Sequence, residues 1–277
     1  MVTKYSYSLK SLSQLVCSYH YTTSVTIPIH KLSCDGNNVK MASDHIRELD
    51  FLKLEPLPTI NEDLLVCESK FIEVGIENKK LKVYIEQVTK TGSQSIHCDS
   101  IDFLFLHGMR YTSKNWLDIQ TLNHVANWGH QAVAVDLPGF GKSICILEPE
   151  LKGAFLQALI STLGLHRPVI ISPSMSGEFS LPYLFEDPST STDRAIGYVP
   201  VAPVLTSKYT NQMRKSQIPT LIVVGTKDQV NGKESTQDLQ HLPNFWYAPI
   251  EGASHPCYLD NPEAFHRLLY WFLKNLK

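Results

Sequence analysis

Pro168-Val169-Ile170-Ile171-Ser172-Pro173-Ser174-Met175-Ser176-Gly177 is the stretch that decides the fold. Val169 to Ile171 form an apolar β-branched run suited to a strand covered on both faces. The run ends in a crowded turn of small residues. Ser172 stands two before Ser174, Ser176 two after and Gly177 three after. A strained strand-to-helix turn lifts one side chain, and only small neighbours two positions to either side avoid a clash. This is the nucleophile-elbow spacing with serine in place of the flanking glycines. The first amides and dipole of the helix that follows favour negative charge developing at Ser174. Three serines in a loop more often mean a solvated turn, so the order of the remaining elements has to carry the reading.

Outward from the elbow, strands and helices alternate. On the N-terminal side, Phe71 to Ile76 and Leu81 to Val88 flank the polar turn Asn78-Lys79-Lys80 and predict a β-hairpin. Ile101 to Leu106 predicts a buried strand ending in His107-Gly108-Met109-Arg110. Ser113 to Trp128 predicts one helix stopped by Gly129, with Trp116, Ile119, Leu122, Val125 and Ala126 at helical spacing. Gln131 to Val135 is a further strand, followed by Asp136-Leu137-Pro138-Gly139. Phe155, Leu156, Leu159, Ile160 and Leu163 mark a helix closed by Gly164.

Beyond the elbow, strands are predicted near Ala195 to Val201, over Thr220 to Val224 and over Phe245 to Ile250. A closing helix opens at Asn261-Pro262-Glu263. The alternation predicts an α/β chain with a mainly parallel, doubly wound sheet and helices on both faces. No stretch between the elbow helix and the Thr220 strand is long enough for a large cap domain. Asp187 to Arg194, polar and rich in Pro, Ser and Thr, reads as a surface loop.

The first 65 residues differ. Met1 to Ser33 holds no acidic residue and many Ser, Thr and Tyr, yet has neither the arginines of a transit peptide nor the apolar core of a secretory signal. Residues 1–65 are expected to be a poorly ordered tail, with Met41 a candidate second translation start, and residues 66–277 the folded domain. Among 277 residues, 43% are hydrophobic and the net charge is -2. That supports a sizeable core but no basic field for nucleic acid or an anionic membrane. No apolar run approaches the roughly 18 residues of a spanning helix. Six scattered cysteines without a C-x-x-C pair, and no glycosylation sequon, point to reduced thiols in the cytoplasm or nucleus.

Three side chains fall at the carboxyl ends of strands, where sheets of this kind bind ligands. They occur in the order Ser174, Asp228, His255, the chain order of α/β-hydrolase triads. A serine hydroxyl is a poor nucleophile at neutral pH. An imidazole must take its proton, and a carboxylate must fix the tautomer and stabilise the imidazolium. Glu251 and Asp260 are substitutes for Asp228. The oxyanion hole is assigned to the backbone N–H groups of Met175, which follows the nucleophile, and Met109. His107 reads as a brace for its loop, and Arg110 as a packing residue that could reach an anionic substrate group. Cys257 reads as a buried wall residue rather than a nucleophile. Phosphate loops, metal-spaced His/Cys clusters and a dinucleotide fingerprint are all lacking, so no permanently bound cofactor or metal is called for.

From about Lys70 to its end the chain resembles the abhydrolase-domain-containing protein 14 family of α/β-hydrolases. The carrying residues are Leu106-His107-Gly108-Met109-Arg110, Asp136-Leu137-Pro138-Gly139, the elbow, Tyr198 to Pro203 and Ser254-His255-Pro256-Cys257-Tyr258-Leu259-Asp260. The resemblance implies a capless hydrolase with its triad on Ser174, Asp228 and His255, acting on small acyl esters. For the B-type, the closer match because no membrane anchor is evident, it also implies removal of acetyl from lysine with coenzyme A as acceptor. A serine hydrolase or acyl transferase is therefore expected, working as a monomer on an acyl ester or acetylated lysine. The competing expectation is a hydrolase-like scaffold that binds a protein partner without catalysis.

Overall fold

The computed structural model describes residues 48–91 and 100–276. Most of the expected tail, with Met41, Cys17 and Cys34, lies outside the described residues, as does Cys98. One sheet organises the rest, with strand order β1-β2-β4-β3-β5-β6-β7-β8. The strands are β1 (Leu65–Ile76), β2 (Lys79–Lys90), β3 (Asp102–Phe105), β4 (Gln131–Val135), β5 (Val169–Pro173), β6 (Gly197–Val201), β7 (Thr220–Gly225) and β8 (Phe245–Ile250). β1, β2 and β4 pair antiparallel, and every other pairing is parallel. This is the α/β-hydrolase architecture.

The helices are α1 (Ser113–Asp118), α2 (Thr121–Asn127), α3 (Lys152–Thr162), α4 (Gly177–Phe185), α5 (Ser191–Arg194), α6 (Thr210–Met213), α7 (Asn231–Leu239), α8 (Cys257–Asp260) and α9 (Pro262–Asn275). Alternate strand residues feed two cores, because successive side chains point to opposite faces. Leu104, Val133, Ile170 and Ile222 pack with Phe155 and Leu159 of α3, Phe179 of α4 and Leu239 of α7. Phe103, Phe105, Ala132, Ile171 and Val223 pack with Trp116 of α1, Val125 of α2 and Phe265 and Phe272 of α9. Burial on both faces explains the unbroken apolar runs of the central strands.

Several expectations need correction. The single helix over 113–128 is two, because Gln120 takes a left-handed conformation (φ 61°) that a continuous helix cannot contain. The hairpin strands are longer than predicted, and the turn falls on Glu77 (φ 51°) and Asn78. Asp187 to Arg194, read as loop, carries the one-turn helix α5, with the Asp187 carboxylate accepting from the Ser189 N–H at 3.1 Å. The polar α7 gave no sequence signal, since three of its four buried residues are Gly232, Ser235 and Thr236.

The tail also ends earlier than residue 65. The Leu49 N–H donates to the Tyr247 carbonyl at 3.0 Å, Leu54 is buried, and the Arg267 guanidinium stacks on the Phe51 ring and bonds the Leu54 carbonyl. No helix among the described residues is long and apolar enough to cross a membrane.

Candidate active site

The carboxyl edge of the sheet gathers the loops after β3, β5, β7 and β8. β5 runs directly into a 3-10 turn, Ser174–Ser176, and then α4. Ser174 has φ 51°, a left-handed conformation costly for a residue with a Cβ. The crowding is specific. A Cβ on Gly177 would come within 2.5 Å of the Val204 carbonyl oxygen, so only glycine lets the loop after β6 close over the elbow.

The serines two before and two after Ser174 meet beneath it: Ser172 Oγ and Ser176 Oγ lie 3.0 Å apart. The Ser176 hydroxyl donates to the Pro173 carbonyl at 2.8 Å, so it accepts from Ser172. Ser172 then accepts from Ser180 (2.6 Å) and Ser180 from Tyr198 Oη (3.0 Å). All four hydroxyl residues are buried, and the chain leaves none of the four unsatisfied.

Asp228 and His255 arrive from neighbouring loops that are tied together. The Lys227 N–H donates to the Ala253 carbonyl at 2.9 Å, and Thr226 N–H to the Ile250 carbonyl at 3.1 Å. Gly225 allows this crossing, since a Cβ there would come within 2.1 Å of the Ser254 carbonyl oxygen. As a result His255 Nδ1 lies 2.5 Å from Asp228 Oδ2, and His255 Nε2 lies 2.8 Å from Ser174 Oγ. The Asp228 side chain is nearly buried while His255 is about one-third exposed. The two substitutes do other things. Asp260 Oδ2 accepts the Ser254 N–H at 2.6 Å and hydroxyl at 2.5 Å, and Glu251 is exposed with no hydrogen-bond or ion-pair partner among the described residues.

Gly108, Met109, Arg110, Tyr111, Pro173, Ser174, Val201, His255, Pro256 and Tyr258 line a cavity of about 290 Å3. Met109 borders it and is exposed, whereas the Met175 side chain is buried. Neither N–H has an acceptor among the described residues. His107 is fully buried. Its Nδ1 lies 2.8 Å from the Gly108 carbonyl and its Nε2 accepts the Leu137 N–H at 3.0 Å; burial lowers its pKa. It therefore stays neutral and ties two loops together. Burial, with the Asp260 charge behind it, pushes the Cys257 thiol up to about 12, which leaves no thiolate to attack.

Sequence reasoning missed Tyr111 and Tyr258, which meet edge to face at 6.3 Å and form the aromatic wall of the cavity. Tyr258 stands within the Ser254 to Asp260 run, but no periodicity marks an aromatic on a four-residue helix as a wall.

This geometry can be set beside known proteins. ABHD14B of Pongo abelii, provisionally named a protein-lysine deacylase, is 42% identical over 194 residues, 68% of this chain and 89% of the relative. The chain belongs to the ABHD14 family. ABHD14A of Rattus norvegicus is 39% identical, over 63% of this chain and 72% of the relative. No protein-family model matches. Among solved structures, a CIB-like hydrolase of Thermoplasma acidophilum superposes with a TM-score of 0.65 at 24% identity, covering 76% of this chain and all of that one. An esterase of Exiguobacterium antarcticum gives 0.60 at 15%, over 75% of this chain and all of that one. These structures bear on the fold alone.

Proposed function

We propose that this ABHD14-family member removes short acyl groups from lysine side chains through an acyl-enzyme on Ser174, with His255 as base and Asp228 as its orienting carboxylate. The single observation that supports it most is the pair of contacts at His255, 2.8 Å to Ser174 Oγ and 2.5 Å to Asp228 Oδ2. The Asp228 carboxylate accepts a hydrogen bond from Nδ1–H, which keeps the proton there and leaves the Nε2 lone pair facing the hydroxyl. As Ser174 Oγ attacks the acyl carbonyl, its proton moves to Nε2. The carbonyl oxygen becomes an oxyanion held by the free N–H groups of Met175 and Met109. Collapse of the tetrahedral centre returns the proton to the lysine nitrogen and leaves the acyl group on Ser174. A cavity of about 290 Å3 with no cap domain among the described residues suits a short acyl group on a side chain offered by another protein. The name carried by the ABHD14B relatives is consistent with that substrate.

The acceptor that clears the acyl-enzyme is water or a thiol of the coenzyme A kind. Arg110 is exposed and, among the described residues, is in no ion pair and is the one Lys or Arg lining the cavity; it fits a phosphate of such a carrier.

Two measurements test the reading. A fluorophosphonate probe should label the wild type and fail on Ser174→Ala. A single-turnover assay on an acetyl-lysine peptide, with and without coenzyme A, separates the acceptors. Absence of labelling in folded wild-type protein would sink the proposal.

A further inference from the structure

Beside the elbow lies a second concavity, a groove of about 360 Å3 between residues 203–207 and α7. It adjoins the Ser174 cavity through the backbone, because the Val204 N–H donates to the Ser174 carbonyl at 2.9 Å. Two large apolar side chains are uncovered here: Leu205, which lines the groove, is 38% exposed, and Val230, the residue before the lining Asn231, is 65% exposed. Its charged lining residues are Glu234 and Asp238, and no Lys or Arg lines it. Lys208 and Lys233, the nearest cations in the sequence, are not among the residues that line it. Among the described residues the Glu234 carboxylate has no hydrogen-bond or ion-pair partner, and the Asp238 carboxylate holds only the Thr206 hydroxyl at 2.7 Å.

We propose that this groove takes the polypeptide flanking the acylated lysine, an apolar residue resting on Leu205 and Val230 and a lysine or arginine meeting Glu234 and Asp238. The inference rests on the lysine-deacylase reading above. Charge and position select this occupant. Two carboxylates without a cation repel an anionic lipid surface and attract a basic chain. α7 follows β7, which lies two strands from β5. At roughly 4.8 Å per strand that is about 10 Å, spanned by about three extended residues. The basic residue therefore sits about three positions from the acyl-lysine.

The test compares acetyl-lysine peptides carrying Arg, Ala or Glu three residues before or after the modified lysine. 4-Nitrophenyl acetate is measured on the same wild-type preparation. On one side, kcat/KM for the Arg peptide should exceed that for the Glu peptide by about fivefold at low salt, shrinking as salt rises. Glu234→Lys should bring that ratio close to one, because the new ammonium offsets the Asp238 carboxylate, and the ratio does not depend on the amount of folded protein. Equal turnover of Arg and Glu peptides on both sides, or an unchanged ratio in Glu234→Lys, overturns the groove alone. Ester turnover with no peptide turnover overturns the lysine reading, and the groove with it.

Discussion

The Val204 N–H donates to the carbonyl of Ser174 at 2.9 Å, so the residue with the strained φ is held by the loop after the neighbouring strand. Left-handed backbone at a residue with a Cβ costs on the order of 1–3 kcal/mol, and the surrounding packing has to offset it. Gly177 is the position that lets Val204 come close. Gly177→Ala would set a Cβ 2.5 Å from the Val204 oxygen and 2.9 Å from Pro203 Cβ. The variant should lose about 1–3 kcal/mol of stability and most of its ester hydrolysis, measured by denaturant melts and kcat/KM. Wild-type values in both would show that the elbow does not need this contact.

The hydroxyl chain under the elbow gives a second expectation. Tyr198 is its terminal donor, since each later hydroxyl is committed toward the Pro173 carbonyl. Tyr198→Phe leaves Ser180 without its donor and should cost about 1 kcal/mol, read as a lowered denaturant midpoint. If the midpoint does not move, the chain runs the other way or is not formed in solution.

How much of this was legible beforehand depends on which physical signal carried it. β5, β7 and α9 were readable because burial on two faces, or on one helical face, writes a run or a stripe into the sequence. The elbow was readable because crowding restricts residue size at fixed spacings. The break at Gln120 was not, since no glycine marks a φ of 61°. Nor was α7, whose inner face is Gly232, Ser235 and Thr236 and so carries no apolar stripe. The sequence order of Ser174, Asp228 and His255 could be read, but their distances could not. Those depend on Gly225 letting one loop cross another, a contact between residues about 30 positions apart.

The boundary of the folded unit is testable by truncation. Leu54 is buried, and Arg267 holds backbone carbonyls of the 51–55 segment. Burying one leucine is worth about 1.5–3 kcal/mol. A chain begun at Leu65 should therefore melt at clearly lower denaturant than one begun at Glu48. Equal midpoints would mean that residues 48–64 add nothing to the fold.

Acid sensitivity follows from His266. It is buried, its Nε2 lies 2.8 Å from Thr121 Oγ1, and its ring centroid is 4.5 Å from that of His124. Burial, and then His124, lower its pKa to about 3. Its unfolded value is near 6.5. Below that value the unfolded chain takes up a proton that the folded protein refuses, so stability falls as pH drops from about 6.5 toward 3. One such imidazole loses roughly 1.4 kcal/mol per pH unit across that window. His266→Gln, which keeps a side-chain amide beside Thr121, should flatten the fall in melting temperature between pH 6.5 and 5. An identical pH profile in the variant would exclude His266 as its source.

The role assigned to Asp228 separates tautomer control from simple charge. Asp228→Asn keeps the shape of the side chain but offers a neutral partner to His255 Nδ1, so the wrong ring nitrogen can carry the proton. Changes of that kind cost on the order of 10⁴ in kcat. Asp260→Asn, which alters only the anchor of the Ser254 loop, should cost far less. Ester kcat and the rate of fluorophosphonate labelling, measured on both variants, check this. If Asp228→Asn stays within tenfold of the wild type while Asp260→Asn falls by thousands, the carboxylate that orients His255 in solution is Asp260 and the assignment to Asp228 is wrong.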